Sequence, residues 1–476
     1  METSPAASLS TLGQSALGDL NLDYGALFLL FVTVCAFMIP VAVVLPPVPV
    51  RKSDALLQTH TRAGVGKAKS NLNDQHAAAH APKDGRLPTI RSLLIYPVKS
   101  CRGVEVTRGR VLPQGLEFDR LFTFAQLKSP FPVSLDSTDE AKSQHRWEFI
   151  TQRQFPRLAT VKVDLWLPDE MKLRRQSMKS TKEAFLILRF PWKEDGWRGL
   201  LSVAMAKLSR GTSAEPEKEI LLPVDFPSAA EIKDSGYTFE EVKIWKEVVR
   251  ALDMSTELPR ELMLYLGVSN KLGLFRVDPA KLREVYRCAP RKGDAGYQPV
   301  TGFQDAYPLH MMTLNSLQQF SEEVPKDDQL EELDARRFRP NIILSGVPAY
   351  DEETWKKARF RPGKSGLYND AVFHVSCRTV RCKMPNVDPI TGERHPREPD
   401  HSLRTRRDVD KGAPLNGCLG MQLTPLFEVD EAPGPNPKSG SGLLGDDNPD
   451  DGRSAWVAVG MTVEVEERGE HLYIKQ

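Results

Sequence analysis

Short runs of apolar and β-branched residues, separated by turn residues, recur through much of this 476-residue chain. They begin with TIRSLLI at Thr89 and continue in RGRVL, FDRLFTFAQL, WEFITQR, LATVKVDLWL and AFLILRF. Many short strands at close spacing are typical of a sandwich or a barrel. We therefore expect a β-rich body of the mixed α+β class.

Helical spacing is less frequent. Apolar residues recur every three or four positions in Thr238–Leu252 and Leu314–Phe320, and this period predicts two helices. Asn341–Leu344 has the composition of a buried strand. Trp456–Lys475 predicts two closing strands, VAVGMTVEVEE and HLYIK.

An uncharged apolar segment near the N-terminus, Ala26–Leu45, is long enough to cross the ~30 Å hydrocarbon core of a bilayer as a helix. Met1–Tyr24 contains no Lys or Arg, which argues against a cleaved signal peptide. Basic residues begin at Arg51, so the positive-inside rule predicts a C-terminal body in the cytosol. We predict an N-terminal tail over 1–25 and a transmembrane anchor over 26–45.

Two segments lack the pattern of a folded core. Residues 46–86 show no periodicity and are predicted to be a flexible tether. Residues 432–453 are rich in Pro, Gly, Ser and Asp and are predicted to be a disordered loop. The ordered body is expected from residue 87 onward.

Charge and cysteine content exclude two classes of protein. Lys and Arg number 64 and Asp and Glu 63, so no net field favours a nucleic-acid partner. Six cysteines without repeated spacing do not form a disulfide framework and indicate thiols in a reducing compartment.

Two of these thiols, Cys377 and Cys382, lie among Arg378 and Arg381 in VSCRTVRCKMPNVDPITG. Nearby guanidinium groups favour the thiolate, which is the form that reacts and binds metals. The local sequence is equally consistent with two unreactive cysteines. A zinc site lacks a second pair of ligands nearby, and a papain-like site needs His and Asn partners that the sequence cannot place.

Basic and small polar residues follow several predicted strands. Lys99 and Ser100 end one such run, and arginines stand near the ends of others, at Arg120, Arg153 and Arg339. Side chains of this kind converging on one pocket would suit a phosphate or another anion. Taken singly, each is an ordinary surface residue, and periodicity cannot show convergence.

The ordered segments YPVKSCRGVEV, GLEFDRLF, ITQRQFPRLATV, RFRPNIILSG, VRCKMPNVDPITG and SLRTRR together resemble the MOSC-domain proteins, and among these the mitochondrial amidoxime-reducing components. The resemblance implies a MOSC N-terminal β-barrel domain over 87–300. It also implies a MOSC β-barrel domain with peripheral helices over 301–476.

Members of that family bind a molybdenum cofactor, a pterin dithiolene with a terminal phosphate. The resemblance implies that Cys382 ligates the metal and that Cys377 is a neighbour without a fixed role. It further implies that the pterin and its phosphate are held by the residues Lys99, Ser100, Arg120, Asp305, Arg339 and Asn341. Val380, Tyr307 and Gln422 depart from the family pattern and bear on substrate shape and on the details of cofactor binding.

The resemblance implies reduction of small N-hydroxylated substrates, such as amidoximes and hydroxylamines, at the mitochondrial outer membrane or the endoplasmic reticulum. The chain has no dinucleotide fingerprint and no cysteine set for an iron–sulfur cluster. Electrons are therefore expected from cytochrome b-five and its NADH-dependent reductase, as the family implies.

Two alternatives remain open. A sulfur-carrying module is one, because MOSC domains also end molybdenum-cofactor sulfurases, but this chain has no room for their pyridoxal-phosphate domain. A protein that binds or delivers the cofactor without reducing substrates is the other.

Overall fold

The computed structural model describes residues 23–44, 51–129, 145–176, 183–363, 368–427 and 453–474. The chain divides into two compact units, Met1–Val50 with Lys193–Pro216, and Arg51–Trp192 with Glu217–Gln476. The helices are α1 (Tyr24–Val44), α2 (Lys52–Leu56), α3 (Glu170–Arg175), α4 (Gly196–Arg210), α5 (Ala229–Asp234), α6 (Arg260–Leu266), α7 (Lys292–Ala295), α8 (Leu314–Glu323) and α9 (Asp400–Arg406). The smaller unit contains α1 and α4, and the larger unit contains the remaining helices and all strands.

The strands are short, as the sequence predicts. They are β1 (His60–Arg62), β2 (Thr89–Ile95), β3 (Val104–Val106), β4 (Arg108–Leu112), β5 (Gly115–Leu116), β6 (Phe122–Lys128), β7 (Arg146–Phe149), β8 (Lys162–Pro168), β9 (Phe185–Pro191), β10 (Glu217–Pro223), β11 (Thr238–Ile244), β12 (Glu247–Asp253), β13 (Leu272–Val277), β14 (Arg283–Glu284), β15 (Val300–Thr301), β16 (Leu309–Thr313), β17 (Ile342–Ser345), β18 (Trp355–Arg361), β19 (Ala371–Val380), β20 (Cys418–Leu426), β21 (Ala455–Ala458) and β22 (Thr462–Arg468). The β-rich α+β class is confirmed.

The apolar segment near the N-terminus forms α1, whose side chains are described as far as Met38 and at Pro40. Among the residues that the structure describes, no helix meets the length and apolarity needed to cross a membrane. For the predicted anchor over 26–45, the structure therefore supports a helix but does not support a membrane span. Positions 1–22 of the predicted tail lie outside the described residues. Positions 432–452 of the predicted loop also lie outside them.

Strands β11, β12, β13, β6 and β7 close a five-stranded barrel in that order. The helix predicted over Thr238–Leu252 is wrong, because this segment is the β11–β12 hairpin. Trp245 adopts a left-handed conformation (φ 56°) at the turn and reverses the chain. Val242 and Ile244 are buried on one strand, and Val249 and Ala251 on the other, each pair two residues apart. Within each strand the buried residues recur every two positions. Because the turn interrupts this period, the apolar residues of the whole segment recur at intervals that resemble those of a helix.

A second sheet follows the order β17-β16-β20-β19-β18-β22-β2-β3. Because β17 also pairs with β2, the seven strands from β17 to β2 form a closed ring. Strand β2 lies in the predicted domain over 87–300, whereas the other strands of the ring come after residue 301. The two predicted domains therefore share one barrel.

Helix α8 connects the parallel strands β16 and β17. Leu314, Leu317 and Phe320 are fully buried along one face of this helix, and the Thr313 hydroxyl accepts a hydrogen bond from Ser316 N at its start. The helix predicted at Leu314–Phe320 and the strand predicted at Asn341–Leu344 are both present.

Two further predictions differ from the structure. Between Arg51 and Arg86 the predicted tether packs on the larger unit: β1 pairs with β8, and Leu72 is buried. The closing strand predicted for HLYIK is absent over 471–474. Hydrogen bonds that involve side chains hold this segment in place instead. The imidazole of His471 lies 2.7 Å from Trp355 O, and Tyr473 N donates to Asp410 at 2.9 Å.

Candidate functional site

A cavity of about 740 Å³ lies within the larger unit and is lined by residues from both barrels. All seven predicted site residues line it: Lys99, Ser100, Arg120, Asp305, Arg339, Asn341 and Cys382. The structure therefore brings together side chains that are far apart in the sequence. Eight lining residues are Lys or Arg and two are Asp or Glu, so the cavity has the charge of an anion site.

The first side of the cavity is the loop after β2. Ser100 is buried with a left-handed backbone (φ 66°), and its carbonyl accepts a hydrogen bond from Gln152 at 2.7 Å. The buried Lys99 ammonium donates to Phe303 O at 2.7 Å and to the Asp305 carboxylate at 2.6 Å. This loop is thereby tied to the segment before β16.

Lys99 and Asp305 form a pair with unequal exposure, since 5% of the Lys99 side chain and 54% of the Asp305 side chain are exposed. Burial lowers the pKa of Lys99 to about 8, although Asp305 opposes the shift. Desolvation would raise the pKa of Asp305, but the charge of Lys99 and its hydrogen bond, with another from Trp245 Nε1, hold that pKa well below its ordinary value. Asp305 is thus an exposed carboxylate at the edge of the cavity.

Two arginines stack on the buried ring of Tyr96. The guanidinium carbon of Arg339 lies 4.1 Å from the ring centroid and that of Arg120 lies 4.9 Å from it. Both residues adopt left-handed backbone conformations, which places them at chain reversals beside the barrel. Arg120 also donates to Asp119 at 2.5 Å and to Asn341 Oδ1 at 3.2 Å. Burial lowers the pKa of Arg339 to about 10.

Several buried polar atoms along this wall have no hydrogen-bond partner among the described residues. They belong to a set of residues that we call the open cluster: Ser100 (Oγ), His310 (Nε2), Arg339 (Nη2) and Arg381 (Nε). An unsatisfied buried donor costs about 1–3 kcal/mol. Four such groups on one cavity wall fit a bound polar ligand that supplies the partners, and the donor set suits a phosphate and the heteroatoms of a pterin.

His310 and Arg381 were not predicted as site residues. The His310 ring packs close to the backbone of Gly420. A Cβ atom added to this glycine would lie only 2.4 Å from His310 Nε2, so a residue with a side chain would clash with the ring. Burial and the neighbouring arginines lower the pKa of His310 well below its usual value, so the ring is neutral. Arg381 precedes Cys382 and is fixed by a 2.9 Å bond to Phe338 O. Its position beside the cysteine was the one available sequence signal.

The two thiols of the VSCRTVRC segment occupy different environments. Cys382 follows the end of β19 and lines the cavity, half-buried, just before a turn of 3-10 helix at Met384–Asn386. Cys377 is fully buried within β19 and does not line the cavity. Only Cys382 can therefore meet a ligand in the cavity.

Among the described residues, no three His, Cys, Asp or Glu side chains cluster as a metal-binding set. A metal at this site would thus have Cys382 as its protein ligand and would depend on further ligands from a cofactor. Val380, Tyr307 and Gln422, which depart from the family pattern, also line the cavity. Their positions are consistent with an effect on the shape of the bound molecule.

The MOSC N-terminal beta barrel domain matches residues 87–193 and the MOSC domain matches residues 298–427. Mitochondrial amidoxime reducing component 2 of Rattus norvegicus is 24% identical over 340 residues, covering 71% of this chain and 77% of the relative. That of Macaca fascicularis is 23% identical over 342 residues, covering 72% and 78%.

Mitochondrial amidoxime-reducing component 1 of Mus musculus is 21% identical over 325 residues, covering 68% of this chain and 72% of the relative. Apart from residue 193, both matched ranges lie in the larger unit, which also contains the cavity. The chain therefore carries a MOSC N-terminal beta barrel domain and a MOSC domain.

Proposed function

We propose that this chain is a molybdenum-cofactor oxidoreductase that reduces N-hydroxylated compounds, with amidoximes as the first candidate substrates. One observation carries the proposal: Cys382 opens into a basic cavity whose open cluster offers buried donors without partners. The names of the relatives support the choice of amidoximes, since those proteins are called amidoxime-reducing components.

The residues would share the work of holding the cofactor. Arg120, Arg339 and Lys99 carry positive charge on one wall and would bind the terminal phosphate. Ser100 and His310 would hydrogen-bond polar atoms of the pterin, and the Cys382 thiolate would ligate the metal. When bound, the cofactor supplies the two electrons that, with two protons, convert the N–OH group to N–H and water.

The substrate would enter past the rim of the cavity, where Trp245 and Arg287 are exposed. Asp305 accepts hydrogen bonds from Trp245 Nε1 and Lys99 at this rim, and it orients both side chains. Buried lining residues such as Leu309 and Phe338 would limit the access of water to the inner part of the cavity. Binding, orientation and exclusion of water are therefore the tasks of the protein.

Electrons would come from a haem carrier, for which we propose cytochrome b-five and its NADH-dependent reductase. We also propose that the apolar segment over 26–45 attaches the chain to a membrane, with the mitochondrial outer membrane favoured over the endoplasmic reticulum. An anchor would raise the effective concentration of a carrier in the same membrane. Rates on liposomes should fall when Met1–Val50 is removed, and equal rates with and without this segment would refute the anchoring role.

The first test is molybdenum and pterin content of the chain from Arg51 onward, produced with cofactor available. Wild type should bind close to one metal per chain and reduce benzamidoxime with a chemical or haem electron donor. Cys382→Ser should lose the activity and most of the metal. Cys288→Ser is the matched control, because this half-buried thiol does not line the cavity.

Each outcome of this test separates the candidates. Equal metal and equal activity in Cys382→Ser would exclude this residue as the ligand. Bound metal without reduction of any N-hydroxylated compound would favour the alternative, a protein that carries the cofactor. Absence of metal and pterin from wild type would refute the cofactor site altogether.

A further inference from the structure

A second pair of sulfur atoms lies behind the cavity wall. Cys377 on β19 and Cys288, shortly after β14, pack in one small apolar cluster with Val285 and Tyr307. Both side chains belong to this cluster, and both thiols are reduced. Two free thiols that share one cluster can pair as a disulfide when their Cα atoms come within about 4.4–6.8 Å of each other.

The two cysteines are unequal in exposure and in electrostatics. Cys377 is fully buried, whereas Cys288 is partly exposed and its sulfur lies 3.5 Å from Leu472 O. Hydrogen bonds from Cys377 and from Tyr307 lower the pKa of Cys288, although its partial burial acts in the opposite direction. The shared hydrogen bond and burial raise the pKa of Cys377. The negative charge of this pair therefore resides on the more accessible sulfur.

Other cysteines of the larger unit provide a contrast. Cys101 and Cys418 are fully buried, and burial raises the pKa of each thiol to about 12. Neither has the combination of exposure and thiolate stabilisation that makes a cysteine reactive. They are internal controls within the same fold.

We propose that Cys288 and Cys377 are a redox couple that exchanges with a low-molecular-weight disulfide of the glutathione type. The Cys288 thiolate attacks one sulfur of the reagent, the reagent S–S bond breaks, and one thiolate leaves and takes a proton. Cys377 then gives up its proton and attacks the Cys288 sulfur, and the second reagent thiolate leaves and is protonated. Two electrons pass from the cysteines to the reagent, which becomes two thiols.

Burial fixes the order of these steps. The reagent can reach Cys288 but not Cys377, so Cys288 is the attacking residue and Cys377 the resolving residue. The couple also adjoins the cavity. Arg287, which precedes Cys288 in the sequence, lines the cavity, and so does Tyr307, which belongs to the same cluster as the two cysteines. Exchangeable disulfides in a reducing compartment are typically catalytic or redox-sensing. This inference does not depend on the identity of the cavity ligand.

The experiment uses the full chain, equilibrated with glutathione buffers of graded oxidised fraction, then alkylated, digested and mapped by mass spectrometry. A peptide linking Cys288 to Cys377 should appear as the oxidised fraction rises and vanish with excess reduced glutathione. In the folded protein, alkylation of Cys288 should be at least about tenfold faster than that of Cys101 or Cys418.

Variants separate the two roles. Cys377→Ser should trap one glutathione on Cys288, and Cys288→Ser should prevent both the linkage and any adduct on Cys377. Cys377→Ala gives a second test if the serine variant fails to fold, and thermal unfolding monitors folding in each case. The proposal is overturned if both thiols remain free at every buffer composition in wild type, or if Cys288 links to a cysteine other than Cys377.

Discussion

Two groups of buried and partly buried arginines in the larger unit differ in how their donors are satisfied. In the paired cluster, formed by Glu353, Arg378, Arg407 and Asp410, both arginines bond carboxylates: Arg407 bonds Glu353, and Arg378 bonds Glu353 at 2.9 Å and Asp410 at 3.2 Å. In the open cluster, Arg339 and Arg381 bond only backbone carbonyls and keep a buried nitrogen without a partner among the described residues. The first arrangement is complete without a ligand, and the second is not.

Buried positive charge alone therefore does not identify a binding site. The informative quantity is the number of donors that the protein leaves unsatisfied beside a cavity. By this criterion the paired cluster holds β19 and its neighbours together, whereas the open cluster faces a ligand.

Breaking the paired cluster should destabilise the protein without emptying the site. Arg407→Gln leaves the buried Glu353 with Arg378 alone, and we expect the free energy of unfolding to fall by about 3 kcal/mol. Denaturant unfolding measures this change. Arg406→Gln, at the exposed neighbouring position, is the control and should change stability by less than about 0.5 kcal/mol. Equal effects of the two substitutions would refute the structural role of the paired cluster.

Glu352 is a buried carboxyl next to Glu353. It accepts hydrogen bonds from the hydroxyls of Ser316 and Thr313. Among the described residues, it has no cation as a hydrogen-bond partner. Burial raises its pKa to about 7, from about 4.5 for an ordinary glutamate. The native state then binds more protons than the unfolded state between these values, so stability falls as pH rises from about 4.5 to 7.

The size of this effect follows from the shift, about 3 kcal/mol in total. Unfolding measured between pH 5 and 8 should show a flatter profile for Glu352→Gln than for wild type. Glu331→Gln, at an exposed position, should follow the wild-type profile. A Glu352→Gln profile parallel to wild type would show that this carboxyl does not titrate in that range.

Breaking the open cluster should have the converse result. Arg339→Gln removes a charged donor from the cavity wall, and we expect cofactor binding to weaken by about 1.5–3 kcal/mol, or roughly 10- to 150-fold. Molybdenum content after extensive dialysis measures the loss, and stability should change little. Arg336→Gln is the control, since Arg336 pairs with Asp334 and does not line the cavity. Unchanged metal content in Arg339→Gln would contradict the assignment.

Lys99 gives the smallest expected effect, and it depends on pH. Its pKa of about 8 means that the ammonium loses its proton as pH rises through 8, so a bound anion should be released more readily above that pH. Affinity should fall by up to about tenfold for each pH unit above the pKa. Molybdenum retained after dialysis at pH 7 and pH 9 measures this, with Lys99→Arg expected to flatten the difference.

Much of the fold and the site could be predicted from the sequence. Short strands with abrupt turns predicted the barrels, and the family resemblance selected seven residues that do line one cavity. Their meeting could not be derived from periodicity, since Lys99 and Asp305 are brought together only by the closure of the barrels. His310 carries no local signal, because a histidine within a buried strand looks like any other core residue.

The errors have physical reasons of the same kind. The β11–β12 hairpin appeared helical because its reversal at Trp245 uses a residue that rarely adopts a left-handed conformation. The segment from Arg51 to Arg86 appeared flexible because its few buried groups, such as Leu72 and His80, are spaced irregularly and contact distant parts of the chain. Long-range partners fix both segments, and local composition does not report them.

The ring formed by β17-β16-β20-β19-β18-β22-β2 also sets an order of events during synthesis. Strand β2 begins at Thr89 and pairs with β22, which begins at Thr462, so β2 must wait for this partner until the long intervening segment has been synthesised. Until then β2 and β18 each lack a neighbouring strand, and such unpaired edges are prone to aggregation. The barrel beside Cys382 therefore closes only after β22 has been synthesised, and a nascent chain is expected to need protection by chaperones until that point.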